Sequence, residues 1–199
     1  MTATVLTLDH RTEGVVVLTL ARPQKRNALS AELRQAIVDA LDALAIDEGV
    51  NAVVITGADS TFCAGFDLDE VMAAANPLEV FTHATTYHHV VHTFPKPLIA
   101  AVEGAAVAGG MDLALLCDLR VCATDARFGQ PQVKMGVPAA YDLLATVMAP
   151  PAARRLCLTG RVIDAAEAAD LGVVHELVEP GTALTKAIAL AGEISGVAG

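Results

Sequence analysis

The chain has 199 residues, of which 54% are hydrophobic and 18% charged, a composition that supports a folded core and argues against disorder. Its net charge of −10 argues against a general nucleic-acid binder, because phosphate contacts need a basic surface. The four cysteines form no Cys-x-x-Cys pair, which argues against a zinc ribbon or disulfide framework and suits a reducing compartment. With no uninterrupted apolar run of 18 residues and no signal-peptide pattern, we expect a soluble cytoplasmic protein without membrane contact.

Signals for strands and helices alternate along the first 150 residues. Short β-rich runs at 5–8 and 15–20 predict a hairpin with its turn at 9–14. Ser30 is the expected N-cap of a helix that runs to about residue 46, because leucine and isoleucine recur after it at helical spacing. The other predicted elements of this part are strands at 51–56, 98–102 and 119–123 and helices at 67–75, 78–94 and 110–117.

The pattern becomes mainly helical from about residue 150. It predicts helices at 152–158, 164–171 and 182–194, with a short strand within 173–178. The strand runs of the whole chain are continuously apolar rather than alternating, which predicts an α/β fold whose sheets are covered on both faces.

Two glycine-containing turns, at 62–67 and 104–112, each follow a buried strand and precede a helix. Small residues let a ligand approach the backbone closely, and the amides at a helix start attract negative charge. Two such amides that converge on one carbonyl oxygen would form an oxyanion hole. Neither turn matches a dinucleotide or Walker motif, and none of the three serines lies in Gly-x-Ser-x-Gly.

Six separated segments resemble, in order and spacing, the crotonase superfamily, also called the enoyl-CoA hydratase/isomerase family. They are RPQKRNALS (22–30), VVITG (53–57), FCAGFDL (62–68), KPLIAAVEGAAVAGGMDLALLCDLRV (96–121), FGQPQVKMGV (128–137) and LTGRVIDAAEAADLGVVHELV (158–178). The resemblance implies a crotonase-like spiral of ββα units over 1–150 with a CoA-thioester site. It also implies a mostly helical oligomerisation region over 151–199, shorter than is usual in the family, and a homotrimer or hexamer.

The same resemblance implies roles for individual residues. Phe66 and Gly109 fall at the positions whose backbone amides form the family's oxyanion hole. Coenzyme A would enter as part of the acyl-CoA substrate, with no permanently bound cofactor. The positions that resemble the family's CoA-binding segments are Arg22, Lys25, Arg26 and Ala64.

The sequence departs from the family at the proton-transfer positions. Hydratases of the family use two glutamates, and here these positions hold Asp112 and Gln132. Hydration needs one group to activate water and another to deliver a proton, and a glutamine side chain does not titrate. Asp112 is the expected proton carrier, Gln132 is expected to orient water or substrate, and Tyr141 or Asp142 are candidates for the missing acid or base.

Two functions stay open at this point. The first is an acyl-CoA enzyme that stabilises a thioester enolate and catalyses an isomerisation, a specialised hydration or another enolate reaction. The second is a non-catalytic CoA-binding or assembly member of the family that has lost the second carboxylate. His88 and His92 share a helix face at a spacing that permits metal binding, but no HExxH pattern accompanies them, and we expect no metal site. Cys63 is interpreted as a packing residue, because no histidine adjacent in sequence supports its activation.

Overall fold

A computed structural model describes residues 4–11, 14–75 and 77–197. Its strands, in chain order, are β1 (Leu6–His10), β2 (Val15–Leu20), β3 (Ala52–Gly57), β4 (Leu98–Val102), β5 (Ala105–Val107), β6 (Leu119–Ala123), β7 (Arg127–Gly129), β8 (Val162–Asp164) and β9 (Glu176–Val178). Its α-helices are α1 (Ala31–Ile46), α2 (Leu68–Ala73), α3 (Pro77–His92), α4 (Gly109–Leu116), α5 (Tyr141–Val147), α6 (Pro150–Thr159), α7 (Ala165–Asp170) and α8 (Ala183–Val197). Short 3-10 segments occupy Pro23–Lys25 and Pro131–Met135.

The strands form two sheets. The larger has the order β1-β2-β3-β4-β6-β9, and the smaller has the order β5-β7-β8. In the larger sheet β1 and β2 are antiparallel, as the predicted hairpin requires, and the later neighbours are parallel. The predicted turn at 9–14 includes positions 12 and 13, which lie outside the described residues.

A strand–strand–helix unit recurs along the chain, as the α/β spiral predicts. β4 lies in the large sheet, β5 in the small sheet, and α4 follows; β6, β7 and α5 repeat this order. Cys63 forms a bridge to Ala106 beside the small sheet, so β3, residue 63 and α2 make a related unit.

Both faces of the inner strands β2, β3, β4 and β6 are buried, as their continuous apolar runs predict, whereas most of the edge strand β1 is exposed. Leucines and isoleucine of α1 pack on one face against alternate strand residues such as Val16 and Leu18, and α8 covers the other face. A stripe of small residues lets α8 lie close to the sheet; these are Ala183, Ala187 and Ala191, each fully buried. None of the described helices combines the length and apolar character of a membrane span.

The longer elements agree with their predicted positions to within a few residues. Ser30 caps α1 as predicted, its hydroxyl accepting a hydrogen bond from the Leu33 amide at 3.2 Å. The predictions missed β5, β7, β8 and α5. The region after residue 150 contributes a strand to each sheet, since β8 pairs with β7 and β9 pairs with β6; its oligomerisation role stays a prediction.

Candidate active site

The first glycine turn is held against the small sheet by backbone hydrogen bonds. The Cys63 amide donates to the carbonyl of Ala105 at 3.0 Å, and the Val107 amide donates to the carbonyl of Cys63 at 3.1 Å. On the other side of the turn, the Leu29 amide donates to the carbonyl of Gly65 at 2.8 Å. These bonds fix the backbone on both sides of Phe66.

The second turn leads into α4 through a strained residue. Ala108 is the N-cap of α4 with φ +50° and ψ −128°, a conformation that costs about 1–3 kcal/mol for a residue with a side chain. Its amide donates to the carbonyl of Gly129 at 2.8 Å, which ties the turn to β7. Gly109 is therefore the first residue of α4, where the amides have no acceptor within the helix.

The structure brings the two turns into direct contact. Gly65 has φ +97°, and a Cβ atom added there would lie 3.2 Å from the amide nitrogen of Gly109 and 2.9 Å from the Cβ of Ala108. A Cβ atom on Gly109 would in turn lie 2.8 Å from Cε2 of Phe66. The backbone therefore requires glycine at position 65, whereas a side chain at position 109 would displace the Phe66 ring; Phe66 and Gly109 lie side by side.

Asp112 lies one turn into α4, three residues after Gly109, and is almost fully buried. Burial raises the pKa of its carboxyl group to about 6, and a hydrogen bond from Gln130 limits that rise. The Nε2 atom of Gln130 donates this bond to Oδ1 of Asp112 at 2.8 Å. A carboxyl group with this pKa exchanges protons readily near neutral pH.

Gln132 extends this contact into a chain of three side chains. Its Nε2 atom donates to Oε1 of Gln130, which itself donates to Asp112. The Oε1 atom of Gln132 is buried and has no hydrogen-bond partner among the described residues. Because Gln132 donates through Nε2, the atom that remains is the Oε1 acceptor, and a bound water or substrate would have to donate a hydrogen bond to it. Gln130 was not predicted, although it lies in the quoted FGQPQ segment.

The basic segment at 22–26 lies beside the first glycine turn. The Ala64 amide donates to the carbonyl of Arg26 at 3.0 Å. Arg22 forms an ion pair with Asp67 at 2.8 Å, and Lys25 forms one with Asp69 at 2.5 Å. The exposed Arg26 side chain has no ion pair among the described residues. The four predicted CoA-binding residues are thus together, but two of their cations already contact carboxylates.

The other predicted candidates lie farther along the chain. Tyr141 is half-buried at the start of α5, with the guanidinium of Arg154 5.5 Å from its ring centre, and Asp142 is exposed. Among the described contacts neither side chain reaches Asp112, although α5 packs on α4. Their acid or base roles stay predictions.

Cys63 is a buried packing residue, as interpreted from the sequence. Burial raises the pKa of its thiol to about 12, so it holds its proton and is a poor nucleophile. Within the described residues no group of three or more His, Cys, Asp and Glu side chains is arranged to hold a metal ion.

The fold and the paired turns define a crotonase-type protein, and comparison with known proteins identifies the family. The family model described as enoyl-CoA hydratase/isomerase matches residues 10–197. The "Putative enoyl-CoA hydratase" of Thermus thermophilus is 44% identical over 188 residues, which is 91% of this chain and 74% of that protein. The chain therefore belongs to the enoyl-CoA hydratase/isomerase family and is an acyl-CoA enzyme of that family.

Two further comparisons agree. The "Crotonyl-CoA hydratase" of Syntrophomonas wolfei is 34% identical over 191 residues, covering 93% of this chain and 74% of that protein. The crystal structure of an enoyl-CoA hydratase from Mycobacterium smegmatis superimposes with a TM-score of 0.92 at 34% identity, covering 97% of this chain and 77% of that one. The match confirms the predicted fold class.

Proposed function

We propose that the chain binds an acyl-CoA thioester with its carbonyl oxygen between the backbone amides of Phe66 and Gly109, and that Asp112 moves a proton on the acyl chain. The observation that carries the proposal is the position of a buried carboxyl group one helical turn from two touching glycine turns. Enolisation of a thioester places negative charge on its oxygen, where two fixed donors act most strongly.

The strain at Ala108 supports the oxyanion role. A backbone conformation that costs free energy persists where surrounding contacts impose it, and such conformations cluster at functional sites. Here the Gly129 carbonyl on one side and the start of α4 on the other impose it. The start of α4, where the helix dipole is positive, lies beside the turn that carries Phe66, which supports a role for its first amides as donors.

A proton shift along the acyl chain is the reaction that this site supports best. Asp112 is the one ionisable group in the chain of Asp112, Gln130 and Gln132. Its carboxylate would take a proton from C2 of a 3-enoyl thioester as the C2–H electron pair moves toward the carbonyl oxygen. The resulting dienolate would take the same proton back at C4, which yields the 2-enoyl thioester.

Hydration of a 2-enoyl thioester is the second enzymatic candidate, favoured by the names of the relatives. Gln132 would hold the water through its Oε1 atom, and Asp112 would have to serve alone for both proton steps. The non-catalytic alternative rests on the same glutamine, since a site without a second carboxylate can still bind a thioester.

The binding of CoA phosphates by the segment at 22–26 is part of the proposal. Arg26 offers an exposed cation, and Lys25 shares its charge with Asp69 at the surface, where ion pairs exchange partners at little cost. Arg22 holds Asp67 in a largely buried pair and is better suited to shape the turn than to contact phosphate. Ala64 would present its backbone to the CoA moiety.

We also propose a homotrimer or hexamer in the cytoplasm that acts in fatty acid metabolism, without a permanently bound cofactor. The cysteines support a reducing compartment, since all four are free.

The proposal is tested by comparing Asp112→Asn with the wild-type protein on 3-hexenoyl-CoA and crotonyl-CoA. Asp112→Asn should lower turnover by about 10²- to 10⁴-fold, the contribution of general acid–base catalysis, and keep acyl-CoA binding. Asp125→Asn, an equal change at an exposed position, is the control. An unchanged rate in Asp112→Asn would remove Asp112 from the mechanism. Binding without turnover of either substrate by the wild-type protein would favour the non-catalytic alternative.

A further inference from the structure

A cavity of about 280 Å³ lies between α1 and α3, beside the candidate active site. Its walls are somewhat more apolar than polar, and they include a guanidinium group and a phenol that could orient a ligand. The lining side chains are Ala31, Arg34, Gln35, Val38, Thr86 and Tyr87.

Arg34 is a buried cation with unused hydrogen-bonding capacity. Its Nη1 atom donates to the carbonyl of Leu29 at 2.6 Å, which is the guanidinium's one hydrogen bond among the described residues, although a guanidinium has five N–H donors. Glu70 lies 3.8 Å from the same nitrogen, and both of its carboxylate oxygens accept from the Ala31 amide at the start of α1. Glu70 thus offsets part of the positive charge without occupying the donors.

Tyr87 provides a second buried polar group on the same cavity. Its hydroxyl has no hydrogen-bond partner among the described residues, and an unpaired buried hydroxyl is destabilising. Burial holds the pKa of Tyr87 well above its usual value, so the group stays protonated and can donate. His88, the next residue, also has a buried nitrogen, Nε2, without a partner among the described residues.

The cavity adjoins the proposed oxyanion site through Phe66. The Phe66 ring lies next to Gly109, and the Arg34 guanidinium lies 5.1 Å from the centre of the same ring. Tyr87 lines the same cavity as Arg34. An acyl chain that leaves the oxyanion site past Phe66 would meet Arg34 and Tyr87.

We propose that this cavity receives the acyl chain and that the preferred substrate carries an oxygen function beyond the thioester carbonyl, either a carboxylate or a hydroxyl group. The inference rests on the proposed function, because it assumes that the thioester lies at Phe66 and Gly109. A site with buried groups that hydrogen-bond a substrate oxygen rejects analogues that lack it, since those groups are then left unpaired. A hydrocarbon chain would leave the hydrogen-bond donors of Arg34 and Tyr87 unpaired.

The test measures binding of three five-carbon thioesters by calorimetry: valeryl-CoA, 5-hydroxyvaleryl-CoA and glutaryl-CoA. At least one oxygen-bearing ester should bind about tenfold more tightly than valeryl-CoA. A preference for glutaryl-CoA identifies a carboxylate, and one for 5-hydroxyvaleryl-CoA identifies a hydroxyl; either result supports the proposal. Equal or weaker binding of both oxygen-bearing esters overturns it and leaves the proposed function standing. No binding of any thioester overturns both.

Three variants test whether the preference for an oxygen-bearing thioester arises in the cavity. Tyr87→Phe keeps the ring that fills the core, and Arg34→Met keeps much of the side-chain length. Each should reduce the preference about three- to tenfold with little change for valeryl-CoA, as the loss of one hydrogen bond predicts. Lys186→Met, which removes a cation from α8 on the opposite face of the sheet, should leave the preference unchanged. If Arg34→Met does not fold, Tyr87→Phe decides; an unaltered preference in Tyr87→Phe contradicts the assignment.

Discussion

Two aspartates of this protein expose similarly small fractions to solvent but have opposite pKa shifts. Asp67 is 6% exposed and Asp112 is 5% exposed. Burial by itself would raise the pKa of both. At Asp67, hydrogen bonds from Arg22 and from the Asp69 amide outweigh burial and lower the pKa, whereas at Asp112 burial prevails and raises the pKa to about 6.

The two sites differ in depth and in partner: Asp112 lies deeper in the protein than Asp67, so burial raises its pKa more, and the partners differ in charge. Arg22 brings a full positive charge to Asp67, but Gln130 brings only a neutral amide to Asp112. A carboxylate paired with a cation is fixed in its ionised state and holds the structure, in this case the start of α2. A carboxyl group left without a cation can gain and lose a proton near neutral pH, as proton transfer requires.

The largest expected effect is an opposite response of the two aspartates to pH. Asp67 has a lowered pKa, so its stabilising effect is present above the unfolded pKa and is lost as pH falls through the folded pKa. Asp112 has a raised pKa, so it lowers stability as pH rises from about 4, the unfolded pKa, through about 6, by about 2–3 kcal/mol in total.

Two asparagine variants measure this contrast by urea unfolding at pH 4.5 and pH 8. At pH 8, Asp67→Asn should be less stable than the wild-type protein by about 2 kcal/mol, since asparagine can still cap α2 but loses the ion pair with Arg22. Asp112→Asn should be more stable at pH 8 by up to about 2–3 kcal/mol, and the gain should shrink at pH 4.5. If both variants lose stability at pH 8, Asp112 is a structural group like Asp67.

The elements that the sequence predicted well are those whose signals are local. Ser30 and the leucines after it specify α1, and the continuous apolar runs specify β2 and β4. The strands β5, β7 and β8 have only three residues each, and what makes them strands is pairing with segments far away in the chain. A short run of mixed residues carries no sign of that pairing.

Sequence reasoning located the candidate site because its backbone depends on glycine. It did not find Gln130, Arg34 or Tyr87, because a polar side chain in a sequence does not indicate whether it is buried. Arg34 in particular lies on an amphipathic helix among exposed polar neighbours. The contacts that make it unusual, with Phe66 and Glu70, join residues more than 30 positions apart.

A smaller effect is expected from adding a second carboxyl group to the site of Asp112. Gln132→Glu would add a second titratable group to the chain that ends at Asp112, and the hydration of crotonyl-CoA should rise about tenfold or more. A glutamate at position 132 can donate a hydrogen bond to Oε1 of Gln130 only when it is protonated, so it would be able to act as the general acid. Gln132→Leu, which removes the amide without adding a carboxylate, should show no gain. Equal rates in the two variants would show that the missing glutamate does not limit hydration.

The smallest effect tests the neutral partner of Asp112 directly. The hydrogen bond from Gln130 limits the pKa of Asp112, so Gln130→Met should raise that pKa and move the acidic limb of the kcat/KM profile upward by about half to one pH unit. Gln132→Met removes the hydrogen bond between Gln132 and Gln130 but leaves the one between Gln130 and Asp112. The acidic limb of its kcat/KM profile should therefore keep its position, even if kcat/KM itself changes. A limb that moves equally in both variants would mean that the chain acts as one structural unit, and a limb that moves in neither would mean that Asp112 is not the group that titrates.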